Sequence, residues 1–364
     1  MDSVENLAVF LPNPVGDVVM STPVLRALRA HCPAARIVHV GRSPALSVLS
    51  GSEWADATIE DRTHKTPQLA NGWSLVREIR RHRPDIAVLL PNSLRPAVLA
   101  RLGGARRVAG YARNGRGVLL SDPLQVPRDR QGRRVPLPTI DYYRAILDRL
   151  GVPCLSRQMS LPVRDEDRRT ADALLSDARL DETRPLVMLN PGAAFGVSKM
   201  WPAERYAALA DALIARREAQ VIVNAAPVER EVAAAVVSAM THPPLLSFHE
   251  RDNTIGLLKG LVRRCHLLVT NDTGARHFGA AMGIGVVTIF GSTDPVWAQI
   301  DYPREEIIRA DVPCSPCQQK QCPTPPGETF HQCMTAISVD RVLPSAERML
   351  EETLKDGPLR QENQ

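Results

Sequence analysis

A chain of 364 residues is too long for one ordinary hydrophobic core and suits two domains. At 44% hydrophobic and 23% charged residues, the composition is that of a soluble globular protein and excludes a disordered chain. The net charge of +5 comes from dispersed arginines and aromatics are only 4% of the chain, which argues against a nucleic-acid-binding module and suits an anionic substrate or membrane surface.

The opening Met1-Asp2-Ser3-Val4-Glu5-Asn6 carries acid where a signal peptide carries base, and its apolar run is only Leu7 to Leu11, so no secretion signal is expected. That run predicts a strand. Pro12-Asn13-Pro14-Val15-Gly16-Asp17 follows as a turn, and then an amphipathic helix through Val18, Val19, Leu25 and Leu28. Strand, glycine turn and helix make the first unit of a doubly wound sheet, whose ligands gather beyond the carboxyl ends of the strands. The glycines do not match G-x-G-x-x-G, which disfavours a dehydrogenase.

Further strands are predicted at Ile37 to Val40, Ala57 to Ile59, Asp85 to Leu90 and Arg106 to Tyr111, with helices over Pro44 to Leu49, Trp73 to His82 and Thr139 to Leu150. Pro91-Asn92-Ser93-Leu94-Arg95 leaves the fourth strand as a second polar exit. Arg113, Arg116, Arg128, Arg130, Arg133 and Arg134 stud a Gly/Pro-rich region that reads either as a solvated loop or as a set of guanidiniums gripping an acidic acceptor.

After a connecting segment at 155 to 163 and a helix over Asp165 to Ala178, the alternation restarts. Leu186 to Asn190 is a strand, and Pro191 to Met200 a glycine-bearing loop that places Lys199 where a point charge would meet a phosphate. Trp201-Pro202 introduces a helix over Ala203 to Arg217, with Pro202 near its first turn, where a missing N–H is harmless. Next come strand Gln220 to Asn224, helix Val228 to Ala239, strand Leu245 to Ser247 and helix Thr254 to Arg263.

The apolar run Leu267-Leu268-Val269-Thr270 then breaks at Asn271-Asp272-Thr273-Gly274 and passes into an Ala-rich helix carrying His277. Free N–H groups and the positive end of a helix dipole collect at such a junction, so Thr273 and Gly274 sit where a phosphate would be held. A carboxylate there would repel a phosphate, so Asp272 reads as a partner for sugar or ribose hydroxyls, or else as a helix cap. A strand over Gly285 to Phe290 exits through Gly291-Ser292-Thr293-Asp294-Pro295. The uncharged stretch from His277 to Thr293 is broken by Gly279, Gly283, Gly285 and Gly291 and reads as helix then strand, not as a membrane span.

Seven cysteines are present. Cys32, Cys154 and Cys265 are scattered and suit buried thiols in a reducing compartment. Cys314, Cys317, Cys322 and Cys333 form a C-x2-C-x4-C-x10-C cluster with His331 inside it, which could close around structural zinc or an iron–sulfur cluster, or stay as thiols or a labile disulfide. A C-terminal helix over Ser338 to Leu354 and a frayed polar tail end the chain.

With these residues in view, the chain resembles the ADP-heptose:lipopolysaccharide heptosyltransferase family of bacterial glycosyltransferases. The resemblance rests on Asn13-Pro14-Val15-Gly16-Asp17-Val18-Val19, Asn190-Pro191-Gly192, Ser198-Lys199-Met200-Trp201-Pro202, Thr270-Asn271-Asp272-Thr273-Gly274 with His277, and Phe290-Gly291-Ser292-Thr293-Asp294-Pro295. The segment ending His331-Gln332-Cys333-Met334 is similar to the heptosyltransferase II branch, with 325 to 329 as an enlarged loop.

The resemblance implies an α/β protein of the GT-B arrangement, two Rossmann-like doubly wound domains facing across a cleft. The expected domains are an acceptor-binding one over 1–155, a nucleotide-sugar-binding one over 156–337 with the Cys-rich loop at 312–334, and a C-terminal helix and tail over 338–364. It implies an inverting mechanism that requires no metal ion, with Asp17 as general base, although Asp17 also sits where a helix cap belongs and capping alone is the competing reading. Lys199 would neutralise the leaving diphosphate. Asn190, Gly192, Ser198, Asp272, Thr273, Gly274 and His277 would join it on the donor, and Asn13, Asn92, Arg95 and Arg113 are the expected acceptor contacts. ADP-heptose and the inner core of lipopolysaccharide are the expected partners of a monomer working at the cytoplasmic face of the inner membrane, with no nucleic acid. A sibling using another nucleotide sugar or acceptor, or a non-catalytic nucleotide-sugar-binding protein, is the alternative.

Overall fold

The computed structural model describes residues 4–359, so the readings placed on Met1 to Ser3 and on 360–364 of the tail lie outside the described residues. The chain divides into two compact units: one reaches Pro162 and takes in Val296–Ile300, and the other comprises Val163–Pro295 and the chain from Asp301 onward. The sequence reading set the boundary at 155 and held the C-terminal helix apart. That helix packs on elements of the second unit.

The first unit runs β1 (Asn6–Phe10), α1 (Val15–Met20), α2 (Thr22–His31), β2 (Arg36–Gly41), α3 (Ser43–Val48), β3 (Ala57–Glu60), α4 (Gln68–Arg81), β4 (Ile86–Leu89), α5 (Leu94–Leu102), β5 (Arg107–Tyr111), β6 (Asp122–Leu124) and α6 (Thr139–Leu150). Its strands form one parallel sheet in the order β3-β2-β1-β4-β5-β6. Helices cover both faces, so a central strand such as β4 is buried at every position and reads as an unbroken apolar run, not an alternation.

The predicted first helix is two helices. Pro23 has no N–H for the carbonyl of Val19, which instead accepts from the Thr22 hydroxyl at 2.7 Å, and the chain turns at Ser21. β6 lies in the arginine-rich stretch that carried no predicted strand. It is a three-residue strand at the sheet's edge containing Pro123, which lacks a ladder donor.

The second unit repeats the plan with α7 (Asp165–Asp177), β7 (Leu186–Asn190), α8 (Ala203–Arg217), β8 (Gln220–Val223), α9 (Arg230–Ala239), β9 (Leu246–Ser247), α10 (Ile255–Val262), β10 (Leu267–Asn271), α11 (Gly274–Met282), β11 (Gly285–Phe290), β12 (Glu305–Arg309), α12 (Gln332–Thr335) and α13 (Val339–Asp356). The parallel order is β12-β11-β10-β7-β8-β9. Counted from the first strand of each unit, the two sheets have the same order. β12 escaped the sequence reading because it is a half-exposed edge strand with charges at both ends.

This order has one topological switch point per sheet, between β1 and β4 and between β7 and β10, where successive crossovers leave in opposite directions and open a crevice at the strands' carboxyl ends. Asp17 lies in the first turn of α1, which follows the turn after β1, and the turn after β4 carries Asn92. The turns after β7 and β10 carry Gly192 and Asp272.

Candidate functional site

In the second unit, the turn after β10 holds a buried polar cluster. Lys199 and Asp272 are buried, and the Lys199 ammonium donates to Asp272 Oδ2 at 2.5 Å and to the Asp272 carbonyl at 3.1 Å. The Thr293 hydroxyl donates to the same carboxylate oxygen at 2.7 Å. Burial pushes the Asp272 carboxyl up, but Lys199, Thr293 and the charge of Arg276 outweigh it and leave the group below the ordinary carboxylate range. The Lys199 ammonium also lies 4.7 Å from the centre of the Phe195 ring. Read apart, Lys199 and Asp272 had separate roles. The fold makes them one ion pair.

Thr273 is the N-cap residue of α11, yet its side chain makes no capping hydrogen bond; its hydroxyl instead meets Thr270 Oγ1 at 3.1 Å. The capping role that competed for Asp272 and Thr273 is therefore not the one seen, and the first amides of α11 have no cap side chain. His277, one turn into this helix, is buried and its Nδ1 has no partner. Burial, and then the neighbouring Arg276 charge, pull its pKa down to about 3, so it is a neutral imidazole at any working pH.

Asn190, at the end of β7, is within reach of both Thr270 and Thr273, and accepts from Asn224, which accepts from Asn253. This chain of amides fixes the floor of the crevice. Gly192 lies against Glu229: a Cβ at that position would sit 2.2 Å from the Glu229 carboxyl. Burial raises the Glu229 pKa. Ser198 is turned away to structural use, its hydroxyl bonded to Ser292 Oγ at 2.9 Å and to the carbonyl of Gln319.

In the first unit, the exits of β1 and β4 meet the start of α6. Tyr142 stacks on Tyr111 with ring centres 3.6 Å apart, and its hydroxyl donates to Asn92 Oδ1 at 2.9 Å and also pairs with Arg113. The adjacent Tyr143 is buried and feels the charge of Asp17. Asp17 sits half-buried in the first turn of α1, where the N-cap position belongs to Pro14. Asp17, Asn92 and Arg113 are thus gathered by α6, with Asn13 exposed on the same turn as Asp17. Arg95 is drawn elsewhere, into a bidentate ion pair with Asp61 at 2.7 and 3.0 Å.

Arg116 departs most from the solvated-loop reading. It is fully buried and spends its guanidinium on the carbonyls of Tyr111, Pro91 and Ser93. With no carboxylate beside it, burial lowers its pKa to about 10. It ties the Asn92 turn to β5. Sequence reading missed Glu229, Thr293 and Tyr142 as members of these clusters. Thr293 alone left a signal, as part of a polar strand exit.

The clustered cysteines Cys314, Cys317, Cys322 and Cys333 lie in the chain between β12 and the end of α12. All are free, Cys333 is buried against Gly291, Cys322 accepts the amide of His331 at 3.3 Å, and Cys314 is exposed. Among the described residues no group of three or more His, Cys, Asp or Glu side chains is placed to hold a metal, so the zinc or iron–sulfur reading of Cys314, Cys317, Cys322 and Cys333 finds no assembled ligand set. Burial and the three neighbouring thiols hold the Cys333 thiol up at about 11, which keeps it protonated.

Two parallel six-stranded sheets of the same strand order give this chain the GT-B fold of solved glycosyltransferases. The family described as glycosyltransferase family 9 (heptosyltransferase) matches residues 72–327, and the chain belongs to it. It is 25% identical to lipopolysaccharide heptosyltransferase 2 of Salmonella typhimurium, over 95% of this chain and 99% of that protein. Among solved structures, a family 9 glycosyl transferase from Veillonella parvula superposes with a TM-score of 0.81 at 24% identity, covering 96% of this chain and 97% of the other. The ADP-heptose lps heptosyltransferase II of Escherichia coli does so with 0.76 at 24%, covering 96% and 99%.

Proposed function

We propose that this glycosyltransferase moves a heptose from ADP-L-glycero-D-manno-heptose to the inner core of lipopolysaccharide; its relatives are named for heptose transfer to lipopolysaccharide and one for ADP-heptose. The observation that carries the donor half is the buried Lys199–Asp272 pair beside the uncapped start of α11. An ammonium has three protons, and two are committed to Asp272. The third, with the amides at Thr273 and Gly274, can meet a diphosphate, while Asp272 and Glu229 accept from sugar or ribose hydroxyls.

In the transfer step the acceptor oxygen attacks the anomeric carbon from the face opposite the diphosphate. The carbon–oxygen bond to phosphate breaks, ADP leaves with the electron pair, and the acceptor proton passes to Asp17. The configuration inverts. Lys199 and the α11 amides stabilise charge gathering on the leaving group. Asn13, Asn92 and Arg113 orient the acceptor, whose phosphates suit a guanidinium. No helix among the described residues is long and apolar enough to cross a membrane. A lipid-anchored acceptor would be met by peripheral contact.

Asp17→Asn is expected to keep the rise in Tm that ADP-heptose gives while losing at least about a hundredfold in kcat. Transfer at the parent rate would remove Asp17 from the chemistry. A mass-spectrometric assay across a panel of nucleotide sugars tests the donor, and faster transfer from another sugar would replace ADP-heptose.

A further inference from the structure

The first unit carries a surface that the transfer chemistry does not use. Residues up to Pro162 hold 23 Lys and Arg against 13 Asp and Glu, a net of +10, whereas the chain as a whole is +5. Part of that excess collects on and around α4. Arg77, Arg80, Arg81 and Arg83 at the end of the helix stand against one acid, Glu78, while Arg62 and Lys65 ahead of it pair with Glu60. The helix buries Leu75, Val76 and Ile79 against the sheet, yet leaves Leu69 83% and Trp73 65% exposed. Leu69, Trp73 and Arg77 follow at i, i+4 and i+8, and so form one stripe on the helix. Arg80 extends it, donating to the carbonyl of Leu102, itself 43% exposed.

A tryptophan and a leucine this exposed lose free energy in water, and surrounding them with arginines does not shield them. An anionic lipid surface satisfies both features together, taking the two apolar side chains below the headgroups and pairing the guanidiniums with phosphates. The topology puts this stripe in a useful place. α4 begins directly after the loop leaving β3, so Leu69 and Trp73, in its first two turns, lie at the carboxyl end of the parallel sheet. Asp17 and Asn92 leave β1 and β4 at that same end.

We propose that α4 is the membrane-docking element of this enzyme, with Leu69 and Trp73 entering an anionic bilayer and Arg77, Arg81 and their neighbours holding its headgroups. The inference rests on the reading that the acceptor is lipid-anchored for its purpose, but not for the binding itself. It predicts that the full chain sediments with vesicles of phosphatidylcholine containing phosphatidylglycerol, weakly with phosphatidylcholine alone, and is released by salt. Leu69→Ser with Trp73→Ser should lower binding to anionic vesicles about tenfold. Arg77→Gln with Arg81→Gln should lower it only where phosphatidylglycerol is present. Both pairs should keep the parent Tm and the parent rate on a lipid-free core oligosaccharide, while the rate on vesicle-borne acceptor falls.

Equal sedimentation of the parent and the Leu69/Trp73 variant overturns the proposal, as does a parent that ignores both kinds of vesicle. A parent dimer in light scattering that the variant loses would instead assign the stripe to self-association. If vesicles bind as stated but ADP-heptose gives no transfer to either acceptor, the donor and acceptor assignment falls and the docking surface stands.

Discussion

Lys199 and Asp272 show how much a single pair constrains the site. Their side chains are 11% and 10% exposed, so each charge depends on the other. Removing one partner leaves a buried ion, at a cost of about 3–5 kcal/mol. Asp272→Asn and Lys199→Met should each lose that much in urea unfolding. Lys199→Met with Asp272→Leu should recover most of it while remaining inactive. Two buried histidines set the pH dependence. His39 is held down to about 4, by burial first and then by Arg29, and His277 to about 3. Below pH 6.5 the unfolded chain binds protons that the folded chain refuses. The stability these groups contribute is therefore complete above that pH and falls away as pH drops toward 4. Unfolding free energies at pH 7.5 and pH 5 should show the loss, and His39→Gln should shrink it.

At the scale of elements, what matters is how turns join strands to helices. Gly283 ends α11 at φ +79°, and a Cβ there would lie 2.3 Å from the carbonyl of Leu359, whose amide donates to the Gly283 carbonyl. Gly283→Ala should therefore cost at least about 1–2 kcal/mol, seen as a lower Tm, because it strains the left-handed cap and displaces the chain's end together. Gly192→Ala has a different consequence. Its methyl would push aside the flexible end of Glu229, so stability should change little while KM for the donor rises severalfold. The strand exits were legible because an apolar run giving way to Asn, Asp, Ser and Thr is a local signal. The break at Ser21, the early start of α4 at Gln68 and the edge strand β12 were not. Each depends on which carbonyl, neighbour or exposed edge the chain meets after it folds.

For the whole molecule, charge is divided as sharply as the fold is repeated. The first unit's net of +10 leaves −5 for the rest of the chain. If the acidic acceptor meets the first unit and the donor the second, raising salt should weaken the two substrates unequally. KM for the acceptor is expected to rise severalfold between 50 and roughly 300 mM salt, where screening shortens, while KM for ADP-heptose changes less. Steady-state kinetics across that range would check this, and an equal response of both would count against the division.

The sequence by itself determined the repeated α/β alternation and the family, because period, apolar runs and short motifs are written along the chain. It also placed Asp17, Asn92, Gly192 and Asp272 at strand exits. Only the tertiary structure decided that Lys199 meets Asp272, that Tyr142 joins Asn92 to Arg113, that Arg116 is buried beneath their turn, and that Arg95 is taken by Asp61. The physical reason is range. A strand or a turn is specified by neighbours a few residues apart, whereas an ion pair across 73 positions exists only once the sheet brings two turns to the same end.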